Sequence, residues 1–139
     1  MTFEECVEKG LIKKSANSQE RVESSVSLGD RFLKSARKNL EMDEKEVCEI
    51  IAYNALFHYA RALLFSKGYV ERSHACLFLA LRKLFPPQEE LFERADKIRA
   101  ERHMLQYSGL ATDEESALFV MEFVEEFGKA AKEILKKRL

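Results

Sequence analysis

The stretch EKEVCEIIAYNALFHYARALLFSK (residues 44–67) decides the fold. Val47, Ile50, Ile51, Leu56, Phe57, Tyr59, Leu63, Leu64 and Phe65 are spread around a helix instead of along one stripe. Such a helix needs neighbours on several sides, from its own chain or from a second subunit. Asp43 with Glu46 reads as a capping box at its start, and Gly68 as the residue that stops it. The spacing therefore predicts a central helix. Its apolar surface is interrupted by Asn54, His58 and Arg61, which stand at i, i+4 and i+7 within about 60° of arc.

The flanking patterns supply partners for that helix. Thr2 with Glu5 caps a short helix that stops at Gly10, and the polar connector KKSANS leads from it to a helical pattern over residues 19 to about 40. Ser73 opens a shorter helix, HACLFLALRKLF, which Pro86 and Pro87 end. A further helix is predicted from about residue 88 to 106. Thr112 with Glu115 forms another capping box, ahead of a face made by Leu118, Met121, Val124, Phe127, Ala131, Ile134 and Leu135. The links are short, which predicts antiparallel neighbours. The expected fold is all-α: an up-and-down helical bundle of about five main helices plus a short N-terminal helix. Residues 1–18 read as an N-terminal appendage and 19–139 as the bundle domain.

Composition agrees and narrows the function classes. With 139 residues, 46% apolar and 34% charged, five glycines and two prolines, the chain fits one helical domain able to bury a core without metal or disulfides. A net charge of −1 gives no global pull toward nucleic acid or membrane, so an anion site must come from local clusters such as RFLKSARK and the run from Arg94 to Arg102. Cys6, Cys48 and Cys76 are odd in number and lack zinc-ligand spacing, which predicts reduced, structural thiols in a cytoplasmic protein. The first residues, MTFEECVEKG, carry acids where a secretion signal needs bases, and no apolar run is long enough for a membrane span.

The chemistry gathers at RAERHMLQY, residues 99–107. Leu91, Phe92, Ala95 and Ile98 define an apolar arc of about 120°, which Arg99, Arg102, His103 and Gln106 then continue as polar residues. Burying an unpaired arginine is costly, so this stripe and the Asn54/His58/Arg61 stripe need partners: each other, acids, or an anionic ligand. Guanidinium forks fit phosphate oxygens, and histidine moves protons near neutral pH. His74, at the start of its helix, reads as a cap or an exposed residue. No metal-ligand spacing, glycine-rich phosphate loop or nucleophile elbow accompanies these residues, so no cofactor and no metal are expected.

The block AYNALFHYARALLFSKGYVERSH, with the later RAERHMLQYSG and the closing amphipathic helix, resembles the HEPN domain. The resemblance implies an all-α bundle, commonly a homodimer with a cleft between subunits. Such domains bind nucleotide or RNA, and many are metal-independent ribonucleases or inactive relatives, often the toxin beside a minimal nucleotidyltransferase antitoxin. Active members place four to six residues between an arginine and a following histidine. Here Arg99 and His103 have three residues between them, and from Arg102 the same window holds Tyr107. The resemblance thus implies Arg99, Arg102, His103 and Tyr107 as the catalytic set if the chain cleaves RNA. Asn54, His58, Arg61 and Gln106 are the expected nucleotide or phosphate contacts; if the polar stripes close only internal salt bridges, the expectation is instead a non-catalytic structural or scaffolding helical dimer.

Overall fold

The computed structural model describes residues 1–108 and 112–137, and the side chains of all of these except 103–108. Its elements in chain order are α1 (Phe3–Glu8), β1 (Ile12–Lys14), α2 (Val22–Glu41), α3 (Lys45–Ser66), β2 (Tyr69–Glu71), α4 (His74–Leu84), α5 (Glu89–Ser108) and α6 (Glu114–Lys136). The fold is an all-α bundle carrying one two-stranded sheet.

Helix α3 is the hub, packed by α2, α4, α5 and α6. Twelve of its residues are buried, among them Tyr53, Leu56, Tyr59, Leu63 and Phe65. Helix α2 returns antiparallel along it, Ser25 Oγ donating to the His58 carbonyl at 2.7 Å and Tyr59 OH to Asp30 at 2.6 Å. Tyr59 also fixes α6. Its ring fills a slot between Gly29 of α2 and Gly128 of α6, where an added Cβ would come within 2.6 and 2.8 Å of ring carbons. Two helices can approach one buried ring this closely only where both lack a side chain.

Several local signals act as their chemistry requires. Thr2 accepts from the Glu5 amide at 3.1 Å and Ser73 from the Cys76 amide at 3.2 Å. Gly10 and Gly68 take φ of +72° and +87° where α1 and α3 stop. Two caps differ from expectation. Asp43 does not cap α3: it sits at φ +61° in the tight α2–α3 turn, a conformation aspartate tolerates, and Glu44 holds the cap position. Thr112 does not cap α6 either, because its hydroxyl reaches across to Glu49 of α3, and Asp113 takes the cap by accepting from the Ser116 amide at 2.7 Å.

The link after α3 departs from the antiparallel expectation. Part of the expected polar connector forms β1, which pairs antiparallel with β2 in the register Ile12↔Glu71, Lys13↔Val70 and Lys14↔Tyr69. β2 carries the chain back along α3, so α4 begins beside Tyr53 and Phe57 and ends beside Lys67, running in the same sense as α3. Helix α5 then descends against α4, with Arg82 meeting Glu89 and Glu93, and against α6, with Phe92 on Phe127.

The cysteines correct the expectation of reduced thiols. Cys6 of α1 and Cys76 in the first turn of α4 form a disulfide, their Cα atoms 5.9 Å apart across a sequence separation of 70. Spacing could not reveal it, because the pair meets only after α1 is laid on α4. Ile12, fully buried, anchors the same N-terminal segment. Cys48 is the free cysteine, and burial, then the charge of Glu49, pushes its thiol up to about 11, which keeps it protonated and unreactive. Thiol titration of the denatured protein should count one reactive thiol before reduction and three after. Closing a loop of this length should stabilise the chain by about 2–4 kcal/mol, read as a lower unfolding midpoint after reduction. Three thiols without reductant would remove the bridge.

Candidate functional site

One stripe of α3 builds the site. Tyr53, Phe57, Arg61 and Phe65 recur every four residues and so share a face. Arg61 donates through Nε to Glu71 at 2.8 Å, and its guanidinium lies over the rings of Phe57 and Phe65, 5.4 and 5.0 Å from their centroids. The Glu71 side chain is only 4% exposed and arrives at the end of β2, so the β1–β2 pairing delivers the acid that Arg61 needs.

His74, the first residue of α4, stacks on Phe57 with centroids 4.0 Å apart and lies beside Tyr53, whose hydroxyl is 2.8 Å from His74 Nδ1. From α5, Arg102 lies over the Tyr53 ring at 4.5 Å, and its buried Nε has no hydrogen-bond partner among the described residues. Three residues earlier, Arg99 donates through Nε to Asp96 at 2.6 Å. Arg61 and Arg99 thus each meet a carboxylate through Nε, the edge of the guanidinium away from its two terminal nitrogens.

The electrostatics tie these residues into one cluster. His74 is exposed by area, yet packing against the rings lowers its pKa, and the charges of Arg102, Arg99 and Arg61, in that order, lower it further. Burial pushes Tyr53 up to about 12 against the opposing pull of Arg102 and Arg99. The phenol therefore keeps its proton and the imidazole stays neutral at pH 7. In the tautomer with its proton on Nε2, His74 accepts the phenol hydrogen at Nδ1.

A family model for the HEPN domain matches residues 22–135. The chain belongs to the HEPN domain family. That family is of nucleotide-binding and ribonuclease type. A search of curated proteins gave no match. In this HEPN chain no helix among the described residues is long and apolar enough to cross a membrane. No group of three or more His, Cys, Asp or Glu stands together as a metal would require among them.

The structure sorts the residues singled out from the sequence. The charges of Arg61, Arg99 and Arg102, from two helices, all act on the His74 imidazole. His58 lies on the neighbouring face, stacked on Phe32 of α2 at 5.4 Å, with Nδ1 buried and unpartnered among the described residues. Burial and then Arg61 lower its pKa. Asn54 is half-buried on α3. His103, Gln106 and Tyr107 lie outside the described side chains. Sequence reasoning missed His74 and Tyr53 as members of the cluster. The one trace of them was the histidine that closes the family-like block.

A histidine depressed below its ordinary 6.5 binds fewer protons folded than unfolded once pH falls through that value. His58 and His74 therefore make folding stability fall as pH drops below about 6.5 and leave it unchanged well above. In an NMR titration His74 should titrate below 6.5, and Arg102→Gln should move it upward, because a neighbouring positive charge is gone. An unchanged value in Arg102→Gln would separate the two residues.

Proposed function

We propose that this HEPN protein binds a phosphate of a nucleotide or RNA between Arg61, Arg99, Arg102 and His74, as a homodimer and as one half of a toxin–antitoxin pair with a minimal nucleotidyltransferase. The observation that carries the binding reading is Arg102, whose guanidinium lies over the Tyr53 ring at 4.5 Å while its buried Nε lacks a partner among the described residues. A cation held on a ring loses little further freedom when an anion arrives, and phosphate oxygens would satisfy the unpaired donor. The terminal nitrogens of Arg61 and Arg99 supply further donors, and Asn54, Gln106 and His58 stand on the same two helices. For the homodimer, the support is exposed apolar side chains at one end of the bundle: Val47 and Ile50 on α3, Leu118 and Phe119 on α6, Phe119 being 58% exposed. The nucleotidyltransferase partner rests on the family resemblance alone.

Fluorescence anisotropy with labelled RNA tests the binding. Affinity should fall as salt rises, and Arg102→Ala should weaken binding by about tenfold or more, the scale of a lost charge-assisted bond, with the unfolding midpoint checked alongside. Salt-insensitive binding, or an Arg102→Ala variant that folds and binds like the parent, would reject the site.

Neutral His74 favours a second reading, a metal-independent endoribonuclease. A neutral imidazole beside cations can take the proton of a ribose 2′-hydroxyl while guanidinium groups steady the charge growing on phosphorus oxygens. The resemblance assigns that proton to His103, with Arg99, Arg102 and Tyr107 around it. Cleavage should then survive a chelator and drop by on the order of 10²-fold or more in His103→Ala or His74→Gln. The variant that loses activity names the base, and activity unchanged in both would end the ribonuclease reading.

A further inference from the structure

The cationic stripe does not end at Arg61. Arg21, the residue before α2, places its guanidinium 4.4 Å from the centroid of Phe65, the ring that Arg61 also covers at 5.0 Å. The two guanidinium carbons therefore lie within about 10 Å of each other, the sum of those distances being the limit. Arg21 is exposed and meets no carboxylate among the described residues, whereas Arg61 has Glu71. Phe57, shared by Arg61 at 5.4 Å and the His74 ring at 4.0 Å, makes the next step, and Tyr53, shared by His74 and Arg102, the last. Each cationic or imidazole group is thus seated on a ring of the α3 stripe, and each neighbouring pair shares one ring.

We infer that Arg21 forms a second phosphate subsite, so that the site prefers a single strand of several nucleotides over a mononucleotide or dinucleotide. From Tyr53 to Phe65 is twelve residues, about 18 Å along the helix axis. At about 3.4 Å per stacked nucleotide this faces roughly five nucleotides. One phosphate cannot touch both ends of such a track. Phe65 itself is buried, so the strand meets guanidinium edges and not stacked rings, which makes the preference one of length and charge instead of base sequence. Arg21 is a binding residue here, remote from any bond that breaks. The inference rests on the phosphate-binding reading of the Arg102 site, and its test separates the two.

The experiment compares labelled octauridylate with labelled diuridylate on the full chain, the Arg21→Ala variant and the Arg102→Ala variant, across a salt series. Arg21→Ala should weaken octauridylate by about fivefold or more and flatten the salt dependence by about 0.7 in slope, the single-strand value for one phosphate, while diuridylate binds as before. Arg21→Lys should keep the salt slope. Arg102→Ala should weaken both oligomers. Octauridylate bound equally by Arg21→Ala and the parent, with Arg102→Ala impaired, overturns the second subsite and leaves the first. A parent chain that binds neither oligomer at low salt overturns the phosphate-binding reading and this inference with it. Unfolding midpoints of the variants within a few degrees of the parent confirm that binding and not folding was read.

Discussion

A carboxylate as deeply buried as Glu71 is tolerable only against a cation, and Arg61 meets it at 2.8 Å. Much of the local architecture follows from that requirement. To bring Glu71 to Arg61, in the last third of α3, the chain must turn at Gly68 and run back along the helix as β2 instead of crossing to an antiparallel neighbour. β1 pairs with β2 and covers its edge. α4 must then start halfway down α3, and its first residue, His74, lands on Phe57. Breaking such a pair costs about 3 kcal/mol in a fully buried setting, less here because Arg61 is partly exposed. The ion pair thus ties the sheet, the course of α4 and the position of the imidazole together.

The same helix makes its cations usable. A guanidinium laid flat on an aromatic ring gains cation–π attraction through its face and keeps its edge free to bond. Arg21, Arg61 and Arg102 each place the guanidinium carbon over a ring from a single stripe of α3, 4.4–5.0 Å from the centroid. The rings are largely buried and anchored by the core, so the charges are held by the rigid part of the molecule. On another side of α3, Tyr59 wedges between Gly29 and Gly128 and donates to Asp30, which also pairs with Lys132 of α6 at 2.7 Å. One side of the hub is therefore given to packing and another to charge.

The N-terminal segment is fastened to the charged side. The Cys6–Cys76 bridge joins α1 to the first turn of α4, two residues after His74. Ser73 caps that turn. The β1–β2 pairing, in which Ile12 is buried, and the bridge hold the segment at two separate points. Order at the start of α4 is thus shared between local capping and contacts that reach across the chain.

The sequence by itself determined the helices and their number, the centrality of residues 44–67, the stops at Gly10, Gly68 and Pro86, and the family. Each depends on spacing or on a residue with one strong local preference, which a linear pattern displays. It also singled out Arg61, Arg99 and Arg102 as polar residues on apolar arcs. Their partners were not legible. A stripe of arginines on a helix wheel looks the same whether it meets Glu71 from a returning strand, Asp96 one turn earlier, or the face of Tyr53. Thr112 looked like a cap because its spacing to Glu115 is right, and it gave that role to Asp113 because Glu49 of α3 came within reach. His74 looked like a helix-start residue until β2 set it against Phe57. The Cys6–Cys76 pairing, the parallel course of α4 and the seating of Arg61, His74 and Arg102 on rings of one α3 stripe were decided only by the tertiary structure. These are meetings between residues far apart in the chain, and only the packing of α3 on several sides brings them within contact distance.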